Sequence, residues 1–369
     1  MTVVSSLEAP QGVWGIVLAG AFARAASSLE KLRPRPLLPI ANDPVVAYPL
    51  RWLAHEAVDG VSVCLNRETR EVRSALSGRA GMPGQLEFLD DHTPRGSAGS
   101  ARDAALATGS RTFLVVSGTT LPTADVGLIL AAHESSGAAV TVVVHEDPAA
   151  GSEESLSPSD IYVFDRRAFH HVSEDGYQDI KEALIPRLYA VGERVVAHMA
   201  PRAFGKLFDT EAYLALNDML VSSVVDARVP EGYRRVGEAL IHETAWVSPR
   251  ARLLGPMVVG ARATIEDAAT VVGPVAIGSG CYVAHRAVVS RSVLWEGCLV
   301  EPGSEIDRCL LADGATIIAG TRLYRTLKTG RRGGPTTRGT RERPIAHRPA
   351  TLRMSGALLS AVTERVRTA

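Results

Sequence analysis

Aliphatic residues recur every six positions through much of the C-terminal half of the chain: Val247, Leu253, Val259, Ile265, Val271, Ile277, Val283 and Val289. A small side chain stands four residues after most of them, at Ala251, Ala263, Ala269, Cys281 and Ala287. The register then slips by one to Leu294, Val300 and Ile306, and by one more to Leu311, Ile317 and Leu323. A period of six is neither that of a helix nor the plain alternation of a strand. It fits a parallel β-helix, in which one aliphatic residue of each hexapeptide stacks inside successive coils. An ordinary β-sandwich is the competing arrangement, but it does not call for eight aliphatic residues in one phase.

Upstream the pattern is different. Residues 13 to 225 alternate short apolar runs with helical stretches, the signature of βαβ units around a mostly parallel sheet. The strand candidates are "GIVLAG", "GVSVCLN", "LEFLDD", "TFLVVSG", "AVTVVVHE" and "DIYVFD". Helices are expected at "VVAYPLRWLAHEAV", "SARDAALATG", "ADVGLILAAHESSG" and "YQDIKEALIPRLYAVG". The fold class expected is α/β: a Rossmann-like mixed-sheet domain over 13–225, then a left-handed parallel β-helix over 240–325. Residues 1–12 read as an extension, 226–239 as a linker and 326–369 as a basic tail. In open sheets of this kind ligands bind beyond the carboxyl ends of the strands, so the loops after "IVLAG" and "FLVVSG" are where chemistry is expected.

Composition adds bounds. A chain of 369 residues accommodates two domains. Its 46% hydrophobic and 5% aromatic content implies cores of Ala, Val, Leu and Ile. No leader pattern opens the chain, and no apolar run approaches the roughly 20 residues that span a bilayer, so the expected location is cytoplasmic. Cys64, Cys281, Cys298 and Cys309 show no paired zinc spacing and read as buried, reduced thiols. Lys plus Arg and Asp plus Glu balance at 40 each, yet ten Lys or Arg and two acids fall in 326–369. That tail is rich in Arg, Gly, Thr and Pro and is expected to be largely disordered, either a solvated extension or a contact for anionic surfaces. Within it "ALLSAVTERV" reads as a short amphipathic helix that docks on the body or on a partner.

The "LAG" opening at Leu18, Ala19 and Gly20, the "PLLPI" some twenty residues later and the hexapeptide coil together resemble the sugar-phosphate nucleotidyltransferases, or nucleotide-sugar pyrophosphorylases. The arrangement is most similar to mannose-1-phosphate guanylyltransferases and glucose-1-phosphate thymidylyltransferase-like proteins with β-helix tails. The resemblance covers most of residues 13 to 325. "PRGSAGSARDAA" is similar to the family's Gly-Thr-Ala-Gly segment, falling on Gly96, Ser97, Ala98 and Gly99. "GYQDIKEALIPRLYAVGERVVAH" resembles the stretch that follows the sugar-site strand, and "LFDTEAYLALN" resembles the region that carries a metal aspartate. Members join a nucleoside triphosphate to a sugar 1-phosphate and release pyrophosphate, with Mg2+ held by carboxylates. The resemblance implies nucleotide contacts at Leu18, Ala19, Gly20, Ala21, Gly96, Ser97, Ala98 and Gly118.

Against that pattern several positions depart. The family's Gly-Gly-x-Gly-Thr-Arg loop falls on Gly20, Ala21, Phe22, Ala23, Arg24 and Ala25. Alanine costs about 1 kcal/mol or more wherever such a loop needs positive φ. Arg24 stands one place early, and the family's Pro-Lys-Pro becomes Pro34, Arg35 and Pro36. Arg24 and Arg35 are the phosphate-handling candidates, although a planar guanidinium does not replace a compact ammonium conservatively. The family's Gly-Asp after the strand becomes Gly118, Thr119 and Thr120, and a neutral hydroxyl is a weak ligand for a hard dication. The Glu-Lys-Pro segment is missing: Glu153 and Glu154 are the substitutes on offer, and no lysine lies between Lys31 and Lys181. Asp209, with Asp91 as a companion, is the metal candidate, and its alternative reading is a helix N-cap.

The expected function is therefore that of a nucleotidyltransferase homologue with a degraded site. It binds a nucleotide or nucleotide sugar and regulates or scaffolds an active pyrophosphorylase, or associates with itself through the coil. The alternative is an active, divergent enzyme that uses Mg2+. His170 and His171 are adjacent and point apart, so they read as a solvated turn rather than metal ligands. His242 and His285, among the coils, support an acyltransferase reading only weakly.

Overall fold

The computed structural model describes residues 12–20, 29–146, 156–201, 209–226 and 229–330. Among the described residues nine strands and six α-helices precede the coil. The strands are β1 (Val13–Leu18), β2 (Pro39–Ile40), β3 (Asp43–Pro44), β4 (Gly60–Leu65), β5 (Leu86–Asp90), β6 (Thr112–Ser117), β7 (Val140–Glu146), β8 (Leu156–Asp165) and β9 (Val195–Met199). The helices are α1 (Ala47–Leu53), α2 (Val72–Leu76), α3 (Gly96–Leu106), α4 (Val126–Ser136), α5 (Ile185–Ala190) and α6 (Thr210–Asp226). Seven strands form one sheet in the order β5-β4-β1-β6-β8-β7-β9, parallel except at β8, which runs against both of its neighbours.

The apolar runs become strands because both sheet faces are buried, as parallel sheets require. Val17, Val63, Val116 and Ile161 enter one core with Leu50 and Leu53 of α1 and Ile129 of α4. Ile16, Val115, Phe113 and Tyr162 enter the other, with Ala98, Ala101 and Ala104 of α3 and Leu188 of α5. Cap chemistry sets α4: the Asp125 side chain accepts from the Leu128 N–H at 2.8 Å, and Gly137 ends the helix in the left-handed region. Helix α1 stops seven residues in, well short of the "HEAV" expected to continue it. Ala54 leaves helical geometry at ψ 48°, and the His55 ring nitrogen takes the Ala57 N–H instead.

From Tyr233 onward short strands stack in three sheets. β10 (Tyr233–Val236), inside the segment read as a linker, pairs antiparallel with β11 (Ala239–His242), which opens the first sheet. Every later pair in the coil is parallel, an arrangement compatible with a parallel β-helix. The aliphatic and small residues of the repeat lie together in one interior: Val259, Ala263, Ile265, Ala269, Val271, Ile277, Cys281, Val283, Ala287 and Val289 are all buried there. Val258 pairs with Ala276, eighteen residues on, whereas Ala276 pairs with Val293, seventeen on. The register slips in the sequence are thus coils one residue shorter. The last strand of the first sheet, Leu327–Lys328, places Lys328 opposite Leu311, at the register position of an interior column, and Lys328 is exposed.

The outward residues of that first sheet, Leu240, Val258, Ala276, Val293 and Leu310, pack with Tyr213 and Leu216 of α6 and with Leu38 and Ile40. Tyr213 is fully buried and donates its hydroxyl to the Pro39 carbonyl while accepting from Trp295 Nε1 at 2.9 Å. Asn217 accepts from the Ala41 N–H at 3.0 Å, and Asn42 Nδ2 donates to the Ile277 carbonyl at 2.8 Å. The "PLLPI" segment is therefore clamped between α6 and the coil. Among the described residues no helix is long and apolar enough to cross a membrane.

Candidate functional site

The sheet order reverses beside β1: the chain moves from β1 outward to β4 on one side and returns to β6 on the other. A crevice opens at such a switch point, beyond the carboxyl ends of the two strands. Leu18, Ala19 and Gly20 lie there, with the Ala19 N–H donating to the Cys64 carbonyl at 2.9 Å. The Gly118 N–H donates to the Leu18 carbonyl at 2.8 Å, and a Cβ at Gly118 would come within 3.0 Å of Ala19. Glycine at 118 lets the two strand ends close on one another. On the β4 side, Leu18, Gly20, Cys64, Asn66, Asp91 and Ser100 surround a small void with no room for a water molecule.

Thr119 follows. Its Oγ1 lies 2.9 Å from Ser117 Oγ, and its N–H donates to that same oxygen at 3.3 Å. Thr120 is buried, and its N–H donates to the Ser117 carbonyl. The turn is closed by hydroxyls that bond each other. Asp91, the nearest acid named by the sequence, is already engaged: Oδ2 accepts from Ser100 Oγ at 3.0 Å and Oδ1 from the Thr93 N–H at 3.2 Å. Burial, then the Asp91 and Asp103 carboxylates, pushes the Cys64 thiol up to about 12, which keeps it protonated and unreactive.

At the start of α3, Gly96 takes φ +76°, and a Cβ there would stand 2.3 Å from the Gln178 carbonyl oxygen. That close approach is used. The Ala98 N–H donates to Gln178 O at 3.0 Å, Ser97 Oγ donates to Asp179 Oδ2 at 2.8 Å, and the Ile180 N–H donates back to Ser97 Oγ at 2.8 Å. The polar groups of Ser97 and Ala98 are turned to the 178–180 segment, which then enters a π-helical turn, Ile180–Leu184, continuous with α5.

That turn delivers Lys181, one of two residues that sequence reasoning missed, the other being Asp160 of β8. Lys181 forms an ion pair with Asp160, and each side chain is 31% exposed. Val116 pairs with Ile161, so Asp160 stands beside Ser117 at the carboxyl end of β6. Asp160 sits at φ +59° inside β8, next to the irregular register where Val142 and Val144 pair with it. Bulges and positive-φ residues of this kind re-aim side chains near sites. Burial, then the Asp160 and Asp179 carboxylates, holds the Tyr162 phenol well above its usual range. The signal in the sequence was Lys181 itself, dismissed as the far end of a lysine-free stretch.

The remaining candidates scatter. Arg35, in the short turn Arg35–Leu37, has Nε 2.5 Å from Glu30 Oε1, so its charge has a carboxylate partner. Asp209 caps α6, its Oδ1 accepting from the Ala212 N–H at 2.7 Å. His171 lies 3.8 Å from Glu193, His242 bonds Thr244 and His285 is exposed on the coil. Cys281 and Cys298 are buried in the coil interior. Arg24, Ala21, Ala23, Ala25, Glu153 and Glu154 lie outside the described residues, as does the tail from 331 onward. Among the described residues no group of three or more His, Cys, Asp or Glu is placed to hold a metal ion.

A parallel-dominated α/β sheet with a switch point, joined to stacked parallel coils, defines a mixed α/β domain carrying a repeat domain. The sequence comparisons narrow this class. The chain is 24% identical over 271 residues to the mannose-1-phosphate guanylyltransferase of Mycobacterium tuberculosis (strain ATCC 25618 / H37Rv), covering 67% of this chain and 75% of that protein. This distant homology supports a sugar-phosphate nucleotidyltransferase family for the chain. No family model matches it.

Proposed function

We propose that the chain is a nucleotide-sugar nucleotidyltransferase homologue that binds a nucleotide or nucleotide sugar in the crevice between β1 and β6 and does not turn it over at an ordinary enzyme rate. In the cell it regulates or scaffolds an active pyrophosphorylase. In this reading a nucleotidyltransferase-like unit spans 13–225 and a left-handed coil 240–325, while the paired strands of the stack run from Tyr233 to Lys328. In this reading Leu18, Ala19, Gly20 and Gly118 contact the nucleotide from one side and Gly96, Ser97 and Ala98 from another, with Ala21, outside the described residues, as a further contact.

The observation that carries this reading is the turn after β6. Phosphoryl transfer between two anions needs charge neutralised at the reacting phosphate, and a carboxylate-held Mg2+ supplies it in such chemistry. Here Ser117 and Thr119 bond to each other. The nearby Asp91 and Asp160 are committed to Ser100 and Lys181. Neutral hydroxyls and engaged carboxylates are a poor donor set for a hard dication. Gly118 and the closed strand ends still shape a place for a ligand.

A second reading, an active divergent enzyme, draws on the guanylyltransferase relative and on the Lys181 ammonium. In that reading Arg24, Arg35 and Lys181 contact phosphates, and Asp209 with Asp91 holds Mg2+. A coupled assay for pyrophosphate release, over several triphosphates and sugar 1-phosphates with Mg2+, separates the two. We expect nucleotide binding by calorimetry with turnover far below about 1 s⁻¹. Turnover at that rate or above overturns the non-catalytic reading, and absence of any nucleotide binding overturns both.

A further inference from the structure

The coil turns at three corners, and at each a residue at positive φ recurs in three or more coils. At the first, residues at positive φ run Arg262, Gly280, Gly297 and Gly314. At the second they run Ala268, Arg286, Gly303 and Gly320. Both columns settle on glycine, the residue that adopts the left-handed region without steric cost. The third corner goes the other way. It begins with Gly255, is interrupted at the Gly273–Pro274 peptide, and continues with Arg291, Arg308 and Arg325, at φ +42°, +52° and +46°. The strands before it pair Ser290 with Asp307 and Asp307 with Tyr324, so these arginines occupy equivalent places one coil apart. Their N–H groups donate to Val272, Ser290 and Asp307 in register. Adjacent coils are about 4.8 Å apart, so three like charges are stacked at close range. Arginine where glycine fits best, three times in succession, marks a position at which the side chain is wanted.

The side chains converge on the outer face of the third sheet. Arg291 donates from Nε and Nη2 to Asp307 Oδ1 at 2.9 and 2.7 Å. Arg308 Nη1 donates to the Tyr324 hydroxyl at 2.9 Å, and the Arg325 guanidinium lies 5.4 Å from the centre of the Tyr324 ring. Among the described residues neither Arg308 nor Arg325 makes an ion pair. Beside them is a concavity of about 420 Å³ whose lining includes Arg291, Arg322, Tyr324 and the acids Glu305 and Asp307, with Arg308 and Arg325 outside that lining. Glu305 is taken by Arg322 at 3.0 Å, and the Asp218 carboxyl of α6 is pushed up to about 6 by burial, against the pull of Arg291 and Arg308. Guanidinium forks match phosphate oxygens in geometry and are weakly hydrated, so they release their water readily to such an anion.

We propose that the Arg291–Arg308–Arg325 ladder, with Tyr324 and the concavity beside it, is a binding site for a small phosphate-bearing anion, separate from the crevice between β1 and β6. Inorganic pyrophosphate is the probe, titrated calorimetrically into the full chain at low salt. Arg308→Gly and Arg325→Gly remove a guanidinium while giving the corner the residue its backbone prefers. Arg286→Gly does the same at the second corner and serves as the control. We expect saturable binding that falls by at least about tenfold in each ladder variant, is unchanged in the control, and is accompanied by no drop in melting temperature. The proposal is overturned by absence of binding to the full chain, by unchanged affinity in the ladder variants, by an equal loss in Arg286→Gly, or by ladder variants that melt early.

Discussion

In the coil each interior residue meets its equivalent from the next coil, so Val259, Ile277, Leu294 and Leu311 form one column through the first sheet. In the crevice no neighbour repeats: Ser97 meets Asp179 and Ile180 across more than eighty residues of chain, and Asp160 meets Lys181 across a turn of irregular helix. The first region is stabilised by many similar burials, each worth a few kcal/mol. The second depends on single contacts, each with one geometry. The coil therefore tolerates a change of register by one residue, as its shortened coils show, whereas the crevice has no second way to place Asp160 beside Ser117.

The strongest way to break this contrast is at the junction. Trp295→Ala removes a fully buried indole that bonds Tyr213, and the expected loss is about 3–5 kcal/mol in denaturant unfolding. If the two regions are held as one cooperative unit, a single transition moves as a whole; two transitions, with the sheet domain unchanged, would show that the coil stands apart. Gly96→Ala sharpens the claim about the crevice. A methyl group facing the Gln178 carbonyl, at positive φ, should cost about 2–3 kcal/mol and detach the 178–180 segment, visible as faster amide exchange there.

A pH titration then tests the sheet domain through one buried histidine. Burial lowers the His133 pKa to about 4, and its Nδ1 lies 2.8 Å from the buried Thr141 hydroxyl. The unfolded chain takes up this proton near pH 6.5 and the folded chain only near 4, so stability is fully present above about 6.5 and declines as pH falls toward 4. His133→Gln should flatten that decline. The smallest effect is expected at Asp209→Ala, which loses an N-cap worth about 1 kcal/mol. A far larger effect on ligand affinity than on stability would point instead to the metal role assigned to Asp209 in the enzymatic reading.

The interior of the coil was legible residue by residue because its determinants are local and repeated, down to the slips at Leu294 and Leu311. The strands of the sheet were legible for a related reason, since burial on both faces writes continuous apolar runs. The end of α1 was not, because the choice at Ala54 rests on a ring nitrogen one residue on. The pairing of Asp160 with Lys181 was hidden as well. Nothing in "SDIYVF" announces that an aspartate will sit at positive φ and aim at a lysine twenty-one residues later. β10 escaped notice because its partner strand, not its own composition, makes it a strand. The segment at Gly96 was singled out by likeness, yet the likeness did not reveal that its polar groups already face Gln178 and Asp179.

A stack of identical layers has no intrinsic reason to stop: whatever welcomes one coil onto the last also welcomes a coil from another molecule, and growth in one dimension follows. Lys328 stands at the column position where Leu311 stands one coil earlier. Extending the column over it would bury an ammonium among aliphatic side chains, a penalty far larger than one more layer returns. Edges protected by a charge in this way resist end-to-end joining. Among the described residues, a single ammonium thus stands against further growth of this column.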